Sequence, residues 1–302
     1  MNTDNSMQMV TLGVALPVFN GEAYIRETIE SILAQTMSDL RLVISDNASE
    51  DSTRDIAQEY AAKDSRIVYH RNPENLGITK NAINTLEMCR PCQYVALIGH
   101  DDLWAPGYAE KVIALMQTRP SASLGFSRVT YIDKNGRTME DKWFKQMAPQ
   151  LPKLADDDRR VRLLVQPPPY FEHGIMRADC WDPFLLLDWH GIHRDVFMVR
   201  GLLIDGPFIV HDEALFLKRI HWKSFSASAE YPRMYGRRKC WRATKAFRQR
   251  WDLNFAETMT CWYSLVKYYK IVGYSRKQWH RLIGFPAWLR RRQLAKGSAN
   301  QG

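Results

Sequence analysis

The sequence predicts an α/β fold: a single, mostly parallel sheet flanked by helices, followed by a basic helical C-terminal appendage. Three observations predict it. Between residues 10 and 130, short apolar runs alternate with segments of helical period, the pattern of strand–helix–strand units. The chain has 302 residues and 45% hydrophobic content, enough for one sizeable core. Charge is unevenly spread: residues 237–302 hold 16 Lys/Arg against only Asp252 and Glu257, while residues 1–236 carry a net −5. That break places a boundary at 236/237, with the body divided into halves 9–130 and 131–236.

Each element follows from its residues. Val10 to Leu16 is an apolar run closed by Pro17, the first strand. Gly21 to Gln35 sets Ile25, Ile29, Ile32 and Leu33 on one face at helical spacing, with Asn20 as N-cap. Leu40 to Ser45 is a strand, Asp51 to Ala62 a helix, Ile67 to His70 a strand and Ile78 to Met88 a helix. Tyr94 to Ile98 is a strand, Gly107 to Met116 a helix and Ser123 to Thr130 a strand. From Asp133 to Pro169 prolines punctuate the pattern, and Ala155 to Val165 reads as one charged helix. A strand near Phe171 to Met176, a helix from Asp195 to Ile204 and short strands around Phe208 and Leu215 follow. The remainder reads as amphipathic basic helices.

The N-terminus lacks the layout of a signal peptide, and no apolar stretch reaches the ~18 residues of a membrane span. The expectation is a cytoplasmic protein, peripheral on the inner face of the cytoplasmic membrane. Five cysteines at irregular spacing fit a reducing compartment. Cys89-Arg90-Pro91-Cys92 has no second pair for a zinc ribbon and follows a helix rather than opening one, so it reads as an inert pair.

The chemistry concentrates in Ile98-Gly99-His100-Asp101-Asp102-Leu103-Trp104, adjacent carboxylates directly after a buried strand. Neighbouring carboxylates repel, but a hard divalent cation carrying phosphate oxygens calls for them. The alternative is a helix cap beside a solvated acid. In parallel sheets ligands sit outside the carboxyl ends of the strands, where Phe19, Asp46 and Asp101/Asp102 fall.

In this order, the chain resembles the family 2 glycosyltransferases of the type-A (GT-A, nucleotide-diphospho-sugar transferase) fold, a Rossmann-like sheet. The matching pieces are Leu16-Pro17-Val18-Phe19-Asn20-Gly21-Glu22, Ser45-Asp46-Asn47-Ala48-Ser49-Glu50-Asp51-Ser52-Thr53, Asn75-Leu76-Gly77 with Lys80-Asn81, and Gly99 to Trp104. Asp195 with Gly206 eleven residues on, and Arg219-Ile220-His221, complete a resemblance covering about residues 9–222. It implies an inverting transfer from a nucleoside-diphosphate donor (UDP, dTDP or GDP) to an acceptor hydroxyl, with Mn²⁺ or Mg²⁺ as cofactor. The nucleotide is expected in the half 9–130 and the acceptor, a lipid-linked or cell-surface saccharide, in the half 131–236.

The resemblance places Pro17, Phe19, Glu22, Asp46, Asn47, Lys80 and Asp101 at the donor, and Asp101, Asp102 and His221 at the metal. Phe19 offers a face for a base, or is a core aromatic. Asp46 accepts a base N–H, or caps a turn. Lys80 meets the base or diphosphate, or is a surface lysine. Asp195 matches the catalytic base, or N-caps its helix; Asp212 and Glu213 are runners-up. His221 reaches the metal or is structural, and His173 lines the acceptor pocket. Three departures stand out: Gly99 where many members carry a ribose-holding aspartate, Phe19 where Tyr is usual, and Arg194 where Glu is common.

Trp241, Trp251, Trp262, Trp279 and Trp288 lie in the basic tail, interleaved with cations such as Arg290-Arg291-Arg292. That composition describes an interfacial helix on anionic lipid; a helical cap packed on the body is the alternative, and an acidic body argues against nucleic acid. Rivals to the transferase are a membrane-associated nucleotide-sugar-binding protein without turnover and a processive synthase. The latter wants Gln-x-x-Arg-Trp, and Phe247-Arg248-Gln249-Arg250-Trp251 lacks the first Gln. A pyrophosphorylase would want a Gly-rich, Arg-containing loop after the first strand, where Pro17-Val18-Phe19-Asn20 stands.

Overall fold

Strand β1 (Leu12–Val18) occupies the middle of the parallel half of the sheet, and all its residues except Pro17 are buried. A strand covered on both faces needs such an unbroken apolar run. The computed structural model describes residues 10–139, 150–165, 169–181, 194–221 and 237–264. Around β1 run α1 (Ile25–Leu33), β2 (Leu40–Asp46), α2 (Thr53–Lys63), β3 (Ile67–Arg71), α3 (Ile78–Met88) and β4 (Tyr94–Leu97). Then come β5 (Leu103–Trp104), α4 (Tyr108–Gln117), β6 (Leu124–Ile132), β7 (Thr138–Met139), α5 (Leu151–Leu154) and α6 (Arg159–Leu163). The last elements are β8 (Ile175–Arg177), α7 (Arg194–Asp205), β9 (Phe208–Arg219), α8 (Arg237–Trp251) and α9 (255–264).

The sheet order is β3-β2-β1-β4-β8-β6-β9-β5, with β7 paired to β6. The long ladders (β1 with β2 and β4, β2 with β3, β6 with β9) are parallel, and the short ones through β5, β7 and β8 are antiparallel. The C-terminal ends of β1, β2 and β4 therefore open on one rim.

Several boundaries differ from expectation for local reasons. Asn20 does not cap α1, which starts behind Tyr24 with no side-chain cap. Asn20 takes φ 51° and accepts a hydrogen bond from the Glu50 N–H (2.9 Å), joining two rim loops instead. Ala155 to Val165 is not one helix. Arg162 donates to the carbonyls of Asp156 and Asp157 (both 2.8 Å), holding a turn before α6. The expected strand from Phe171 begins as a 3-10 turn over Pro169–His173 and pairs only from Ile175. The strands around Phe208 and Leu215 form one twelve-residue strand, β9, with a register shift opposite Ser127–Val129 that leaves Asp212, Glu213 and Ala214 exposed.

Cys89 closes α3 and Cys92 lies three residues on, both buried; a Cβ at Gly13 would stand 2.7 Å from that of Cys89. Burial raises both thiols, keeping them protonated and inert. The first part of the basic tail packs on the body. Phe247 of α8 stacks on Phe197 of α7 (4.1 Å between centroids), and Trp251 donates to Asp205 (2.6 Å). Glu257 of α9 accepts two hydrogen bonds from Arg159 (3.0 and 3.1 Å). Trp279, Trp288 and Arg290 to Arg292 lie outside the described residues. Among the described residues, no helix is long and apolar enough to cross a membrane.

Candidate active site

The rim is built by tying loops together. After β1, Gly21 N–H donates to Thr53 Oγ1 (2.8 Å) and Glu22 N–H to Asp51 (3.0 Å), while Glu22 accepts from the Ser52 N–H (3.1 Å). These contacts fix the entry to α2 and leave Phe19 at the mouth of β1 with 41% of its surface exposed. Pro17 lies opposite Ser45 in the ladder. Asp46 ends β2 fully buried. Its carboxylate accepts from the Ser49 N–H (2.8 Å), the Tyr69 hydroxyl (2.9 Å) and Arg71. Burial works to raise this carboxyl, but the bonds from Ser49, Tyr69 and Arg71 outweigh it and hold it below the ordinary range. Asn47 accepts from Asn72 (3.0 Å) and the Leu76 N–H (2.9 Å), and Lys80 is exposed on the first turn of α3.

Behind β4 the chain turns at Gly99 into the acid pair. Thr28 of α1 donates to the carbonyls of both His100 (2.9 Å) and Asp102 (3.0 Å), pinning that loop. The end of β9 then reaches the acids. Lys218 Nζ lies 2.7 Å from Asp102 Oδ2, and the Arg219 N–H donates to Asp102 Oδ1 (3.0 Å). Arg219 also donates to the Asp101 carbonyl (2.9 Å) and to Glu27 of α1 (2.6 Å), with its guanidinium over the Tyr24 ring. His221 Nε2 stands 2.9 Å from Asp101 Oδ2, and its ring packs on Tyr24 at 4.9 Å.

The two neighbouring acids thus have different surroundings. Asp102 is 0% exposed and both its oxygens are engaged. Full burial pushes its carboxyl up against the pull of Lys218, and the paired charge in turn holds the Lys218 ammonium protonated. Asp101 goes the other way: burial opposes its charge, yet His221, Lys218 and His100 prevail and keep it ionised. A Cβ at Gly99 would lie 2.9 Å from Asp101 Oδ1 and 2.9 Å from Asp102 Oδ2. The carboxylates pack into the space that an aspartate side chain at 99 would need.

Asp101 and His221 offer an oxygen and a nitrogen donor 2.9 Å apart, donor types that divalent cations accept; such ions commonly take one or two carboxylates plus substrate phosphates. Asp102, expected beside them, is committed to Lys218 and Arg219. Among the described residues no group of three His, Cys, Asp or Glu side chains is arranged to hold a metal, so donor oxygens would have to complete the shell.

Other expected residues are scattered. Asp195 is the second residue of α7, and its side chain lies outside what is described. Glu213 is exposed and pairs with Lys111 of α4 (2.7 Å), and Asp212 is exposed beside it on β9. His173, expected in an acceptor pocket, is buried beneath the acids. Its Nδ1 is 3.0 Å from the Leu97 carbonyl, its Nε2 3.4 Å from Lys218 Nζ, and its ring stacks on Phe216. Part of the expected acceptor region (140–149, 166–168, 182–193) is outside the described residues. Sequence reasoning missed Lys218, Glu27 and Tyr24. The signal for the first was available: Lys218-Arg219 are adjacent cations ending an apolar strand, an arrangement that calls for buried counter-charge.

Solved structures place this fold among the GT-A glycosyltransferases. S. aureus TarS 1–349 in complex with UDP aligns over 90% of this chain and 75% of its own, with TM-score 0.61 and 17% identity. The mannosyltransferase PcManGT from Pyrobaculum calidifontis, in complex with GDP-Man and Mn²⁺, aligns over 95% and 79%, with TM-score 0.54 and 14% identity. The sequence profile of Glycosyl transferase family 2 matches residues 13–201, more than half of the chain, which therefore belongs to that family. An uncharacterized glycosyltransferase of Methanocaldococcus jannaschii is 28% identical over 217 residues, 71% of this chain and 72% of the relative. EpsH of Bacillus subtilis, named as a glycosyltransferase, is 34% identical over 198 residues, 65% of this chain; the chain spans 53% of that relative's length.

Proposed function

We propose that this family 2 glycosyltransferase is a metal-dependent inverting enzyme that moves a sugar from a nucleoside-diphosphate donor to an acceptor hydroxyl. The acceptor in this reading is a saccharide, free or lipid-linked, met at an anionic membrane surface. The observation that carries it is the approach of Asp101 and His221 to 2.9 Å on the rim where β1, β2 and β4 end, with Phe19 exposed at the mouth of β1. A cation held by Asp101 and His221 would supply Lewis-acid stabilisation of the departing diphosphate. Phe19 stacks the base, Lys80 at the start of α3 meets the base or phosphates, and the Asp46–Arg71 pair shapes the base-facing wall. Asp195 takes the proton of the acceptor hydroxyl as that oxygen attacks the anomeric carbon. Binding at TarS (UDP, UDP-GlcNAc) and PcManGT (GDP-Man, Mn²⁺) supports the donor class.

The test is nucleoside diphosphate release from UDP-, dTDP- and GDP-sugars with Mn²⁺ or Mg²⁺, with and without saccharide acceptors. Release with one donor, abolished by chelator, is the expected result. Donor binding without release for any donor and acceptor would favour a nucleotide-sugar-binding protein instead.

A further inference from the structure

Helix α9 (255–264) is amphipathic in the opposite sense to an ordinary packed helix. Its inward side carries polar groups. Glu257 and Thr258 are 5% and 1% exposed, and Ser264, 4% exposed, accepts from buried Arg200 (2.9 Å). Its outward side is apolar. Phe255 and Tyr263 are 73% and 61% exposed, and half-buried Met259 stands four residues from each, so the three share one face. The Glu257–Arg159 and Ser264–Arg200 contacts fix the helix's rotation, so the stripe cannot turn inward without breaking both. Leu164, which follows the helix bearing Arg159, is also exposed (55%).

The flanking sequence is cationic. Lys245, Arg248 and Arg250 are exposed on α8, which precedes α9, and residues 265–302, which follow α9 in the sequence, contain nine Lys/Arg and no Asp or Glu. A second copy seated on this face would bring like charges together. A polyanionic plane suits both halves of the pattern, since apolar side chains enter the headgroup layer while cations meet lipid phosphates. Resting on the membrane partner proposed above, we infer that the Phe255–Met259–Tyr263 stripe is the face that seats this protein on an anionic bilayer. Because α9 is tied to α6 and α7, seating fixes the orientation of the whole catalytic body rather than tethering it loosely.

The test is co-sedimentation of the full chain with phosphatidylcholine vesicles and with vesicles containing phosphatidylglycerol. Phe255→Ser with Tyr263→Ser is compared with wild type, and thermal midpoint, oligomeric state and donor turnover are recorded without lipid. Wild type sediments with the anionic vesicles, and the double variant loses about tenfold or more of that binding, the scale set by two apolar side chains leaving the interface. Its midpoint and turnover stay unchanged. Wild type that does not sediment overturns the membrane partner itself. Equal sedimentation of both proteins leaves that partner standing and overturns the assignment to α9. A lowered midpoint, or a wild-type dimer that the variant dissociates, shows the stripe covered by protein and overturns it as well.

Discussion

Replacing Lys218 by Met should destabilise the protein far more than loss of a surface lysine would, because it strands a buried charge. Asp102 is 0% exposed, and Lys218, itself 17% exposed, is its ion-pair partner at 2.7 Å. Removing one member of a buried pair typically costs about 3–5 kcal/mol. The carboxyl can escape by taking a proton, and burial has already pushed it up to about 7, so at neutral pH that step costs little. The loss at neutral pH is then mainly that of the charge-assisted hydrogen bond, about 1.5–3 kcal/mol, and it grows toward the cost of a stranded charge as pH rises. Asp102→Asn should cost a similar amount, about 1–3 kcal/mol, since the amide oxygen still accepts from the Arg219 N–H and the freed ammonium has some access to water.

The double variant removes both charges and should lose less than the two singles together, with a coupling of about 1–3 kcal/mol. Urea denaturation of the four proteins measures this. The sign of the pH effect is a second check. In Lys218→Met the folded-state pKa of Asp102 lies further above its unfolded value, so stability relative to wild type is lost as pH rises and recovered as it falls. The deficit should shrink as pH falls from mildly alkaline through the wild-type value of about 7. Additive losses, or a deficit that grows on acidification, would refute the view that Lys218 is the counter-charge of Asp102.

Asp101→Asn and His221→Gln should each weaken Mn²⁺-dependent donor binding by calorimetry in protein that remains folded, whereas Asp102→Asn should lower stability and leave metal affinity largely intact. Equal effects of all three on metal affinity would abolish the distinction. Asp195→Asn should leave donor affinity intact and lower turnover by about 10²–10⁴ if it is the base; Asp212→Asn, measured beside it, should retain most activity, and the reverse outcome would move the base to β9. Arg71→Met should raise the acid-unfolding midpoint. Asp46 is held below its ordinary pKa, so its contribution is complete above that pKa and is lost as pH falls through the depressed value; thermal melts across the acid range would detect the shift.

The parallel half of the fold was legible because there burial and sequence carry the same signal. Leu12 to Leu16, Leu42 to Ile44 and Val95 to Ile98 are buried apolar runs, and Ile25, Ile29 and Ile32 form the buried face of α1. Beyond residue 130 that agreement weakens. Strand β9 carries Asp212, Glu213 and Ala214 in its middle, which read as an interruption, yet the register shift leaves Asp212 and Glu213 exposed and lets pairing resume at Ala214, opposite Arg128. Asn20 misled for a different reason. Asn20, Glu22 and Asn47 have the chemistry of caps or ligand contacts, and whether a side chain meets a helix end, another loop or a substrate depends on partners tens of residues away. Lys218 meets the acid loop across more than a hundred residues and beyond the family match, announced only by its place beside Arg219 at the end of an apolar strand, whereas His221 was reached through the resemblance and not through any local period.

The substitution that looked most damaging in the sequence has a different meaning in the structure. Gly99 stands where many relatives are expected to carry an aspartate, which on its own would subtract a donor contact. The place is not left empty: Asp101 and Asp102 close over Gly99 within 2.9 Å of where a Cβ would sit. With a third carboxylate there, the cluster would hold one more negative charge, while Lys218 is already paired with Asp102, the Arg219 guanidinium with Glu27 and His221 with Asp101. With glycine, one acid is neutralised internally by Lys218 and the other remains ionised toward His221. Chemically identical neighbours are thereby separated by environment alone, one holding the loop to β9 and one facing the rim. That separation requires the glycine and the lysine together, so any account of donor recognition in this chain has to treat Gly99, Asp101, Asp102 and Lys218 as one unit.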